Sequence, residues 1–249
     1  MSKVKKIESE AERRVLEELG GKNIEIALLP DEMLGLIGLI LRESCLAPHF
    51  WEKEKKCLVV SFSAAGEPLL RYGAVRETIV KLDQIFDRNG VQAFFSLCTV
   101  GVADGIQQML EDVKFCDEHR IQLRFSMHFS DDKQRRRFIP AKDSIREIVG
   151  LGTTYAEATR VKLVIHYALI QGVNDSDSHA RSLIKLLYAQ RKHVLVRVSR
   201  INPECGSNLS PSSKHRRKKF IRLLQKGGLE CSPVWEGYAR WACNAAHFR

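Results

Sequence analysis

Residues 61 to 70 read SFSAAGEPLL and follow the β-branched run KCLVV, so Glu67 stands between Gly66 and Pro68 where a strand ends. A carboxylate held at a strand end suits a cationic ligand, and a neighbouring glycine lets that ligand approach the backbone. Similar chemistry recurs after other apolar runs: Cys98-Thr99 before Gly101, Ser126-Met127-His128, and Asn202-Pro203 with Cys205 just beyond. Each residue also has a plainer use. Glu67 suits a turn, Cys98 a small buried apolar position, and His128 a backbone-satisfied rim position. His166 suits packing within a strand, and Asn174, Asp175 and Ser176 suit turn and helix-cap roles.

These residues need a frame, and the hydrophobic pattern supplies one. Strands are predicted at 23–29, 57–63, 93–100, 121–129, 161–169 and 194–201. Amphipathic helices are predicted between them, at 30–44, 72–90, 102–119, 144–158, 176–192 and 212–228. Alternating strands and helices imply parallel pairing with right-handed crossovers. The predicted fold is therefore α/β, a partial (β/α)6 barrel. Residues 1–20 read as an added helix, and 21–249 as one domain ending in a return strand and tail. In such folds ligands bind at the carboxyl ends of the strands, where Gly66, Glu67, Cys98, Ser126, His128 and Asn202 all fall.

Bulk properties narrow the setting. The 249 residues are 44% hydrophobic, enough for a substantial core, and the net charge of +10 draws the chain toward phosphate. No apolar run approaches the roughly 18 residues of a membrane span. The charged start MSKVKKIESEAERR is unlike a secretory signal, and the seven cysteines are odd in number and scattered. A reducing, cytoplasmic setting is expected. Two basic clusters, Lys133–Arg137 and Lys214–Lys219, could grip RNA phosphates or serve only as solvated faces. Phe129 and Phe138 are the nearest candidates for base stacking.

The motifs GEPLL, SMH, GVNDSDSHA, INP and ACNAA occur in an order that resembles the RlmN/Cfr family. These are radical S-adenosylmethionine (SAM) enzymes of partial-barrel fold that methylate adenine carbons in ribosomal and transfer RNA. The resemblance covers residues 58–249 and extends to 23–57 by strand order. It implies that Gly66 and Glu67 bind the SAM ammonium, that Ser126 and His128 line its ribose and adenine, and that Asn202 also contacts it. Cys98 stands where the family usually has a SAM-contacting serine. Cys243 matches the catalytic cysteine that carries the methyl group and links to RNA.

The departures are as informative. The family holds a 4Fe-4S cluster on a CxxxCxxC loop between its first strand and first helix. Here the predicted strand at 23–29 meets the helix at Pro30 directly, and no two cysteines have that spacing. The expectation is an RlmN/Cfr-like protein that keeps a SAM pocket without autonomous radical catalysis. The alternatives are an active RNA methyltransferase whose cluster is unusually ligated or supplied by a protein partner, and a non-catalytic RNA-binding or structural relic. Cys98, Cys205 and Cys243 all map to the rim and are the candidates for an unusual metal set.

Overall fold

The computed structural model describes residues 28–43, 56–63, 66–201 and 208–234. Helix α1, Pro30–Glu43, starts at a proline whose missing N–H costs nothing in a first turn. The Glu32 carboxylate accepts the Leu29 N–H at 2.7 Å and closes that turn. Six strands follow: β1 Lys56–Phe62, β2 Val91–Thr99, β3 Ile121–Ser126, β4 Leu163–Leu169, β5 Val194–Arg200 and β6 Cys231–Pro233. They form one parallel sheet in chain order, with β1 and β6 as open edges among the described residues. This is the expected partial barrel. The β6 segment is the predicted return strand, whereas the predicted strand at 23–29 lies outside the described residues except for Leu28 and Leu29.

The crossovers are α2 (Tyr72–Arg88), α3 (Ala103–Glu111) with α4 (Val113–Glu118), α6 (Ile145–Thr159), α7 (Asp177–Leu187) and α8 (Lys214–Lys226), while the short α5 (Asp132–Arg135) follows β3. The sequence predicts one helix over 102–119, but the chain breaks it at Asp112. The Asp112 carboxylate pairs with Arg76 at 2.5 Å and accepts from the Tyr72 hydroxyl at 3.2 Å, fixing the break against α2. None of the described helices is long and apolar enough to cross a membrane.

Alternation along the strands separates two faces. Phe95, Leu97, Leu123, Phe125, Ile165, Tyr167, Val196 and Val198 pack with Ile79, Ile106, Ile148, Leu183 and Phe220 of the helices in the main core. Burying each such side chain stabilises the fold by about 1.5–3 kcal/mol. The opposite face carries most of the strands' polar side chains, mixed with apolar ones such as Phe94 and Val164. Parallel register aligns Ser61 with Ser96, Cys98 with Arg124, and Ser126 with His166 and then Arg197. Sheets covered by helices on both faces are usually apolar on both. A polar second face marks the inside of an open barrel.

Candidate functional site

The carboxyl ends of β1 to β4 build the rim. After β1, Gly66 adopts φ +77°, a left-handed conformation that disfavours other residues, and nothing lies within 4 Å of where a Cβ would stand. Glu67 follows and caps a 3-10 turn at Pro68–Arg71, its Oε1 accepting the Leu69 N–H at 3.1 Å. Its Oε2 accepts the Val100 N–H at 2.8 Å and so joins the β1 loop to the end of β2. Burial raises the Glu67 carboxyl above its ordinary pKa, while the amides of Val100 and Leu69 and the Thr99 side chain pull the other way. A carboxylate has about four lone-pair positions, so two amides leave room for an ammonium.

Val100 is held from its other end. Arg135 is 1% exposed, and its guanidinium donates to the Val100 carbonyl and, at 3.4 Å, to the Asp143 carbonyl. It lies 5.0 Å from the centre of the Phe125 ring. Burial lowers its pKa to about 10, which leaves it charged at neutral pH. Gly101 makes this packing possible. It has φ +99°, and a Cβ there would stand 2.9 Å from Phe125 Cε2 and 3.3 Å from Arg135 Nη2.

Beyond β3 the chain turns sharply, because Met127 N and His128 N both donate to the His166 carbonyl and His128 adopts φ +54°. The predicted strand over 121–129 therefore ends at Ser126. His128 is buried, and its Nδ1 accepts the Ala168 N–H at 2.9 Å. An imidazole nitrogen that accepts carries no proton, so the ring is fixed as the Nε2–H tautomer. Asn174 completes the arrangement from the GVNDSD turn. Its Nδ2 donates to the His128 and Ala168 carbonyls, both at 2.8 Å, and its Oδ1 accepts the Ile170 N–H at 2.7 Å. Turn chemistry alone does not anticipate this staple between the ends of β3 and β4.

Gly66, Glu67, Cys98, Ser126 and His128 thus belong to one end of one sheet. Gly66 and Glu67 line a pocket of about 590 Å³ together with Ser61, Ser63 and α1 residues such as Met33 and Ile37. Cys98 adjoins it, with its Sγ 3.8 Å from the Ser61 hydroxyl. Asn202, Cys205 and Cys243 lie outside the described residues. His166, expected to pack, is half-buried on the polar face, level with Ser126 and Arg197. No group of three or more His, Cys, Asp or Glu suited to a metal ion occurs among the described residues.

The basic clusters are more divided than the sequence suggests. In the first, Arg135 is internal and only Lys133, Arg136 and Arg137 are exposed. In the second, Arg216 and Lys219 pair with Asp177 at 2.5 and 2.9 Å, while Lys214 and Lys218 are exposed. Phe129 is 0% exposed and stacks on Phe138 at 5.1 Å in a small second core built mostly from residues just past the strand ends, so it offers no platform for a base.

Comparison with known proteins agrees with this architecture. The chain is 28% identical over 173 residues to ribosomal RNA large subunit methyltransferase N of Nitrosopumilus maritimus, covering 69% of this chain and 47% of that protein. It is 31% identical over 190 residues to a probable dual-specificity RNA methyltransferase RlmN of Pseudothermotoga lettingae, covering 74% and 53%. The chain therefore spans about half the length of the curated relatives it matches. No family model matches it. Its fold superposes on a radical SAM methyltransferase from Sphaerobacter thermophilus with a TM-score of 0.70 at 20% identity, over 89% of this chain and 62% of that one. A domain of pyruvate-formate lyase-activating enzyme from Bacteroides vulgatus gives 0.51 at 19% identity, over 71% and 98%. Curated relatives and fold together make this chain a member of the RlmN/Cfr-like radical SAM family.

Proposed function

We propose that this chain is an RNA-associated SAM-binding protein of its family that does not carry out radical chemistry alone. The supporting observation is the contrast between two places. At the rim, Gly66 leaves its backbone open beside the fixed Glu67 carboxylate, and His128 is anchored at the end of β3. These groups fit the ammonium and the polar nucleoside part of SAM. At the other place, Leu28 and Leu29 run straight into α1, with Met33 N donating to the Leu29 carbonyl at 3.0 Å. Ahead of α1, where the family carries its cluster ligands, the sequence has no CxxxCxxC: no two of the seven cysteines lie closer than 12 positions apart. These residues do not fit a 4Fe-4S cluster held in the family's manner.

In this reading Gly66 and Glu67 hold the ammonium, Cys98, Ser126 and His128 line the rest of SAM, and Asn202 adds a contact. Residues 21–249 act as one domain and 1–20 as an extension to it. Lys133, Arg136 and Arg137 follow the rim directly and meet RNA phosphates. Cys243 keeps the position of the methyl-carrying thiol. A second reading takes its support from the half-exposed Cys98 beside the pocket: Cys98, Cys205 and Cys243, or another chain, supply the cluster, and the protein is an active methyltransferase.

Calorimetric titration of the iron-free chain with SAM tests the first reading. Glu67→Gln removes the charge but keeps the shape, so affinity falls about tenfold, the scale of one charge-assisted contact. Equal affinity of parent and variant removes Glu67 from the site.

A further inference from the structure

The polar face holds a second constellation, at the level of the strand ends and just inside them. Arg124 is the fourth residue of β3, and Arg197 is the fourth of β5. Arg124 aligns with Cys98 of β2, and Arg197 is level with His166 and Ser126. Both arginines are half-buried. Among the described residues neither has a carboxylate partner, and the six strands contain no Asp or Glu at all. Arg124 Nε donates to Gln122 Oε1 at 3.2 Å, a neutral acceptor.

Two guanidiniums that share a partly dry face without a counter-charge are unfavourable. Burial lowers the pKa of Arg124 and the nearby Arg197 lowers it further, against an opposing effect of Cys98. Among the described residues the face therefore carries positive charge that no strand carboxylate offsets. SAM offers this face only one singly charged carboxylate beside two cations, so a doubly charged phosphate matches two guanidiniums better.

We propose that Arg124 and Arg197 hold a phosphate group inside the barrel, at the level of the strand ends. The arginines stand on strands two apart and two residues out of register, roughly 12 Å between their backbones. Extended guanidinium side chains close that gap around one phosphate, and their planar forks match its oxygens. The phosphate belongs either to a free nucleotide or to the RNA backbone.

The test is binding of inorganic phosphate and of AMP to the full chain, measured against chloride at equal ionic strength. Both raise the melting temperature, and Arg124→Gln or Arg197→Gln each weakens binding about tenfold or more. In chloride these variants melt no lower than the parent, because repulsion is relieved. Glu67→Gln leaves phosphate binding unchanged, which separates this site from the SAM site. A short RNA oligonucleotide that displaces AMP assigns the phosphate to RNA, and one that does not assigns it to a nucleotide. If a variant does not fold, phosphorus NMR on the unaltered chain decides. Line broadening of phosphate that AMP reverses supports the site, and its absence overturns it. Parent behaviour in phosphate identical to chloride, or unweakened binding by both variants, also overturns it.

Discussion

Glu67 and Arg135 grip opposite ends of the same residue: the Val100 N–H donates to the Glu67 carboxylate at 2.8 Å, and the Val100 carbonyl accepts from the Arg135 guanidinium. A negative group on the donor side and a positive group on the acceptor side both favour this orientation of the backbone. The relationship ties the first basic cluster to the ammonium site through structure. Arg135→Met removes the donor and leaves the Val100 and Asp143 carbonyls without it. We expect a loss of about 2–4 kcal/mol in urea unfolding. SAM affinity falls with it, because Glu67 loses its fixed neighbour.

Asn174 makes three hydrogen bonds to backbone groups and is 0% exposed. Asn174→Ala leaves two carbonyls and one N–H short of a partner in a dry environment. A cost of about 3–5 kcal/mol follows, readable as a lower urea midpoint with an unchanged slope. The turn at His128 loosens as a result, so the SAM affinity of the folded variant also drops.

The raised pKa of Glu67 sets a pH dependence with a definite sign. In the free protein the fold favours the protonated acid. The contribution of this group to stability is therefore fullest below its ordinary value and is lost as pH rises through the raised value. A bound ammonium favours the carboxylate instead. SAM affinity accordingly increases with pH across that same window, from the ordinary carboxylate value upward. Calorimetry between acid and neutral pH checks this, and Glu67→Gln flattens the profile.

RNA binding, if carried by the first cluster, depends on Lys133, Arg136 and Arg137 and not on Arg135. Replacing the three exposed residues with Ala reduces the slope of log affinity against log salt by about 2, at roughly 0.7 per phosphate contact on a single strand. The same replacement leaves SAM affinity unchanged.

Much of this was legible in the sequence. Strand and helix periods placed the sheet, and the motifs placed Glu67 and His128 at its carboxyl end. The break at Asp112 was not legible, because it depends on Arg76 and Tyr72, which are about 40 positions away. The staple from Asn174 was read as turn chemistry, since a local motif does not reveal acceptors on another strand. The burial of Arg135 was hidden inside a basic run. The alternation in IQLRFS and VLVRVSR did carry a signal for the polar face. Its meaning emerged only when parallel register placed Arg124 and Arg197 in the same barrel.

The most direct test of the account is iron content after anaerobic reconstitution of the purified chain with iron and sulfide. The account predicts well under about one iron per chain and no broad absorbance near about 400 nm, with SAM binding retained. About four irons per chain with that absorbance would contradict it, and would direct attention to Cys98, Cys205 and Cys243.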